Sequence, residues 1–221
     1  MKRLVVIVEG ETEEGFVNRI LCPYFCSLGI FNVVQCFKTK HSNGGIAKYS
    51  YIKQDIINTI YESDVVVTTM IDFYRLPSNF PGYSQLSQYV THQEQVDFLE
   101  KKMKEDIENV KERKFDNFIP YIQLHEFEAL VFSSYNGIAA LFDENEFDGK
   151  ELERVIGKYS NPEDINNKPD TAPSVRLKKI IPGYNKVVYG IEILKEIGIE
   201  TVLLKCPRFN QWVENLKKAL E

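Results

Sequence analysis

The run Val5-Val6-Ile7-Val8, broken at Glu9-Gly10, constrains this chain more than any other stretch. A short β-branched run closed by glycine reads as a buried strand. Thr12 is expected to cap a following helix, with Glu13 and Glu14 in its first turn, where the helix dipole favours acids. Glu9 then stands at the carboxyl end of a central strand, the edge at which open α/β sheets bind ligands. Dipole complementation accounts for Glu13 and Glu14. It does not account for Glu9, which lies outside the helix.

The pattern continues in βαβαβ order. Phe16, Val17, Ile20, Leu21, Tyr24 and Leu28 form a helical stripe interrupted by Pro23 and ended by Gly29. Phe31 to Phe37 reads as a second strand. A polar loop from Lys38 to Gly45 follows; its Gly44-Gly45 pair would either cradle phosphate or serve as a plain turn. Ile46, Tyr49, Ile52, Ile56 and Ile60 mark a helix. Asp64 to Ile71 reads as a third strand, ending at Asp72. Short connections of this kind imply parallel strands and right-handed crossovers. The irregular segment from Phe73 to Val90, with Tyr74, Tyr83 and Tyr89, is expected to line or cover the same edge. Val96, Leu99, Met103, Ile107 and Val110 then give a long amphipathic helix, and Phe118 to Leu124 a further strand. A helix is expected to start near His125-Glu126.

Beyond that point Pro173 fits the first turn of a helix through Ile181. Ile191 to Ile197 is helical, Ile199 to Cys206 is open between strand and helix, and Trp212, Val213, Leu216 and Leu220 close the chain as an amphipathic helix. The expected organisation is an α/β core over residues 1–135, with a mainly parallel sheet flanked by helices, and a mostly helical extension over 136–221 packed on it.

Composition narrows the function. With 27 Lys+Arg against 32 Asp+Glu in 221 residues, the formal charge is -5. That argues against a protein that coats nucleic acid through a broad basic surface, but leaves room for an enzyme that holds it through metal ions and a local basic groove. Cys22, Cys26, Cys36 and Cys206 lack zinc-site spacing and are expected as free thiols. No apolar run has the length of a membrane span, and nothing reads as a signal peptide, so a cytoplasmic setting is expected.

Two strand ends thus carry isolated carboxylates, Glu9 and Asp72, and a third carries His125, Glu126 and Glu128. Oxygen-rich clusters suit Mg²⁺ or Mn²⁺, and such an ion can activate water and neutralise phosphoryl charge. His125 reads equally as a satisfied strand-end histidine, and Glu126 and Glu128 as first-turn acids.

The ordered motifs Val8-Glu9-Gly10-x-Thr12-Glu13, Asp72-Phe73-Tyr74-x-Leu76-Pro77, Ile122-Gln123-x-His125-Glu126-Phe127-Glu128-Ala129-Leu130 and Cys206-Pro207-Arg208-Phe209-Asn210-x-Trp212 resemble a bacterial Toprim-related family. The resemblance implies a Toprim-like fold, a divalent-metal nuclease and a partner ATPase of the ABC/SMC-like type in a defence setting. Glu9, Glu13, Asp72, Glu126 and Glu128 would be its metal ligands. Glu9, Asp72, His125 and Lys186 would serve catalysis, and Lys40, Arg176 and Lys186 would contact DNA or RNA. Toprim enzymes carry a second aspartate where this chain has Tyr74. Either Glu126 or Glu128 replaces it, or the scaffold acts as a sensor or regulatory binding subunit without catalysis.

Overall fold

The computed structural model describes residues 2–31, 34–38, 48–165, 168 and 170–221. Lys40, Gly44 and Gly45 of the polar loop lie outside the described residues.

The apolar run forms β1 (Arg3–Val8), with every residue after Arg3 buried. Helical segments α1 (Glu11–Phe16), a π-helical turn (Val17–Leu21) and α2 (Cys22–Ser27) follow without a break. The π turn ends at Leu21, two residues before Pro23. Proline supplies no N–H and its ring crowds the carbonyl four residues earlier, and a widened turn relieves both. Strand β2 (Val34–Lys38), α3 (Tyr49–Ile60) and β3 (Val65–Asp72) complete the βαβαβ unit. The chain continues through α4 (His92–Lys111), β4 (Phe118–Ile119) and β5 (Ile122–Gln123). After 3₁₀ turns over Phe127–Ser133 come α5 (Tyr135–Ala139), α6 (Gly149–Lys158), α7 (Pro173–Ile180), α8 (Ile191–Ile197), α9 (Ile199–Lys205) and α10 (Pro207–Leu220). The segment left open between strand and helix is therefore the helix α9.

The sheet is parallel throughout, in the order β2-β1-β3-β4, with β5 also pairing β3. The chain leaves β1 toward β2 on one side and returns to β3 on the other. The carboxyl ends of β1 and β3 are thus a topological switch point, where right-handed crossovers place their helices on opposite faces and open a crevice. Side-chain alternation sorts the two faces. Val5, Ile7, Val65 and Val67 bury against α3 and α4, whereas Leu4, Val6, Val8 and Val66 bury in one cluster with Phe16, Ile191, Ile193, Phe209 and Trp212. Among the described residues no helix is long and apolar enough to cross a membrane.

All of β3 is buried, yet its centre is Thr68-Thr69. Pro120 explains this. It breaks the expected strand over 118–124 into β4 and β5, because it has no N–H for the ladder. The threonine hydroxyls take over there. Thr69 Oγ1 donates to Tyr121 O at 2.8 Å and accepts from Tyr121 N at 2.9 Å. Thr68 Oγ1 donates to Ile119 O at 2.5 Å and accepts from Trp212 Nε1 at 2.9 Å, tying α10 to the sheet.

Two expectations are corrected. Thr12 does not cap α1: Gly10 occupies the cap position without a side-chain bond, and Thr12 is buried inside the helix. The segment over 73–90 does not line the carboxylate cavity. Its Leu76 and Phe80 bury with Tyr49, Val96 and Leu99 on the α3/α4 face, where they are withdrawn from water.

Candidate functional site

The carboxyl ends of β1 and β3 open into a cavity of about 500 Å³. Its acidic lining is Glu9, Glu11, Glu13, Asp72, Glu126 and Glu128, and its basic lining is Lys38, Lys178 and Lys186. Thr12, Ser174, Tyr184 and Asn185 complete the polar wall.

Each acid arrives by a local rule. Parallel register sets Val8 beside Met70, so Glu9 is level with Ile71, one residue before Asp72, and both acids emerge at the same edge of the sheet. Glu9 Oε2 lies 3.5 Å from the Asp72 backbone nitrogen, a long hydrogen bond. Glu13 follows one turn into α1. Gly10 lets it close over the turn, because a Cβ at Gly10 would stand 3.0 Å from Glu13 Oε2. The third strand end brings Glu126 and Glu128 to the same cavity through a sharp reversal at His125, whose φ of 66° is in the left-handed region. That reversal aims the Phe127 N–H at Asp72 Oδ1, at 2.9 Å.

Glu9, Glu13, Asp72, Glu126 and Glu128 are each at most 7% exposed. Burial raises the Asp72 carboxyl well above its ordinary range, and the charges of Glu13, Glu9 and Glu128 push it further, with Lys186 opposing. Burial also raises Glu128, against the pull of Lys186. Burial works against the Lys186 ammonium, but Glu128, Glu13, Asp72 and Glu9 outweigh it and raise its pKa. Lys186 Nζ stands 4.0 Å from Glu128 Oε1.

Not every expected residue joins. His125 is buried but does not line the cavity; its ring meets His92 edge-on at 4.8 Å. The α-helix expected to start near His125-Glu126 does not form: Glu126 is extended and precedes 3₁₀ turns over Phe127–Ser133. Both oxygens of Glu126 are engaged at the start of α7, accepting from Ser174 N at 2.9 Å and Ser174 Oγ at 3.0 Å. Arg176 is outside the cavity; its Nε donates to Thr171 O and its guanidinium lies over the Tyr159 ring. Tyr74 is exposed and also outside the lining. Among the described residues, no three His, Cys, Asp or Glu side chains stand close enough, as placed, to hold one metal ion.

Sequence reasoning did not single out Lys38, Lys178, Ser174, Tyr184 or Asn185. They reach the cavity from β2, from α7 and from the turn before α8, and no periodicity links these positions to Glu9.

Fold and site together define an α/β protein with an open parallel sheet and a carboxylate-rich cleft at its switch point. The chain belongs to the DUF4276 family, described as a domain of unknown function, whose model matches residues 8–217. No curated protein and no solved structure matches the chain.

Proposed function

We propose that the protein is a Toprim-like, Mg²⁺- or Mn²⁺-dependent nuclease that works in the cytoplasm with a partner ATPase of the ABC/SMC-like type in bacterial defence. The observation that carries the catalytic part is the convergence of buried acids around Asp72 at the switch point, with Lys186 as the cation facing it. Buried carboxylates that raise one another's pKa call for a counter-charge. The donor set fits a hard divalent ion, being made of carboxylate oxygens. Mg²⁺ keeps several waters and needs one or two protein carboxylates, so the lack of three converging ligands does not argue against it.

Asp72 and Glu9 would be the principal ligands, with Glu13 and Glu128 beside them. Glu126 would act mainly through its hold on Ser174. When bound, the ion supplies an acidified water and charge neutralisation. Glu9 would also be placed to accept a proton, and Lys186 would orient the phosphate and balance charge on its oxygens. The test is cleavage of single- and double-stranded DNA and RNA with Mg²⁺ or Mn²⁺, with and without the ATPase. Cleavage abolished by Asp72→Asn supports the reading.

A second reading is a Toprim-like sensor or regulatory subunit that binds without cleaving. Tyr74 in place of the second aspartate favours it. Metal binding with no cleavage of any substrate would select it.

A further inference from the structure

Two hydroxyls at the cleft are unexplained by the acids. Thr12 is 1% and Tyr184 6% exposed, and among the described residues neither Thr12 Oγ1 nor Tyr184 Oη has a hydrogen-bond partner. Both residues line the carboxylate cavity. They flank Gly190: a Cβ there would stand 3.1 Å from Tyr184 Oη and 4.0 Å from Thr12 Cγ2. Burial pushes the Tyr184 phenol up, with Glu128 and Glu126 adding to it, so the group is a neutral O–H donor. A buried hydroxyl left unpaired is costly, and native proteins seldom leave one without a reason. Carboxylates are the strongest acceptors nearby, yet neither hydroxyl bonds to one.

The cleft therefore has two chemistries. Its acids offer acceptors for a cation. Thr12, Tyr184, Lys186 and Lys178 offer donors, which a cation cannot use and a tetrahedral oxyanion can. Tyr184, Asn185 and Lys186 are consecutive, so the hydroxyl and the ammonium come from one turn. Asn185 fixes that turn by accepting from the backbone nitrogens of Val187 at 3.0 Å and Val188 at 3.4 Å.

We infer that Thr12 Oγ1 and Tyr184 Oη donate to the non-bridging oxygens of a substrate phosphate group, making the cleft a site for a phosphate ester held together with its divalent cation. This rests on the metal-dependent reading above and adds the residues that hold the substrate. Neither hydroxyl is required for the cation itself.

Two calorimetric titrations separate the claims, the first with Mg²⁺ alone and the second with thymidine 5′-monophosphate in saturating Mg²⁺. The proteins are wild type, Thr12→Val, Tyr184→Phe, the double variant and Thr12→Ser. Mg²⁺ affinity should be the same in all five. Nucleotide affinity should fall about tenfold for each lost hydroxyl, as expected for a hydrogen bond to a charged group, and Thr12→Ser should retain it. If wild type binds Mg²⁺ but no nucleotide, or the double variant binds nucleotide as tightly as wild type, the inference is overturned and the metal reading stands. If wild type binds no Mg²⁺, the metal reading fails and takes the inference with it. Circular dichroism spectra that match wild type establish that each variant is folded.

Discussion

Asp72 Oδ1 accepts the backbone N–H of Phe127 at 2.9 Å, joining the end of β3 to the turn after β5. The bond exists because His125 adopts a left-handed φ and reverses the chain within two residues. A side chain that carries the site's most crowded charge is thus also part of the backbone scaffold. Its neutral form can keep that bond, so charge and scaffold are separable by Asp72→Asn.

The first prediction follows from the sign of that crowding. Burial, then Glu13, Glu9 and Glu128, raise the folded-state pKa of Asp72 above its unfolded value. Such a group favours folding while protonated, and this contribution is lost as pH rises from about 4, the ordinary aspartate range, through the raised folded value. In EDTA, the melting temperature of wild type should fall over that interval. Asp72→Asn should flatten the fall and match or exceed wild type at pH 7.5. Adding Mg²⁺ should raise the melting temperature of wild type and not of the variant. Thermal unfolding between pH 4.5 and 7.5 checks both; a variant that melts lower at every pH would refute the repulsion.

Arg208 tests a motif that invites a functional reading. Its Nη2 donates to Glu100 Oε1 at 2.5 Å, its Nη1 to Ile122 O at 2.6 Å, and its guanidinium lies 5.0 Å from the Tyr121 ring centroid. The backbone nitrogens of Arg208 and Phe209 donate to Glu163, which is fully buried. These contacts clamp α10 to β5 and α4, and Arg208 does not line the carboxylate cleft. Arg208→Ala should leave Glu100 without its cation and cost about 3 kcal/mol in urea unfolding, while Mg²⁺ affinity of the folded protein stays at the wild-type value.

The sequence made the βαβαβ unit legible because β1 and β3 are apolar runs ended by acids, and their adjacency follows from parallel crossover rules. The convergence of Glu9, Asp72, Glu126 and Glu128 was legible for the same reason. The rest of the cleft was not. Ser174 reaches it through packing of α7 on the turns over Phe127–Ser133, and Tyr184 through the turn before α8, which packs on α1; no local pattern encodes these long-range contacts. Thr12 misled, since threonine before an acidic turn resembles a cap, whereas Gly10 takes that place. The capping box of α4, where Thr91 Oγ1 accepts from Glu94 N at 3.2 Å, is by contrast a local pattern, encoded in Thr-x-x-Glu.

Thr69 carries the third prediction. Its hydroxyl both accepts from and donates to the Tyr121 backbone, bridging the gap that Pro120 leaves in the ladder. Thr69→Val preserves shape but leaves a buried N–H and carbonyl unpaired. The expected loss is about 1–3 kcal/mol, with faster hydrogen exchange at Tyr121. Thr69→Ser, which keeps the hydroxyl, should lose less. Equal losses in the two variants would assign the effect to packing.

Glu126 and Glu128 line the same cavity and differ in what they hold. Glu126 gives both oxygens to Ser174, satisfying the N–H and hydroxyl at the start of α7, where the helix leaves donors unpaired. Glu128 is buried with a raised pKa, and Lys186 at 4.0 Å is its counter-charge. Replacing Glu126 by Ala should therefore cost about 1–3 kcal/mol by orphaning those donors. Replacing Glu128 by Gln removes a desolvated charge and should leave metal-free stability unchanged or raised. The metal response should reverse the order. Glu128→Gln should weaken Mg²⁺ binding, while Glu126→Gln, which still presents an acceptor to Ser174, should affect it less. Urea unfolding in EDTA and Mg²⁺ titration of the same variants make the comparison. If Glu128→Gln leaves Mg²⁺ affinity untouched, Glu128 is not the replacement for the acid that Tyr74 displaces.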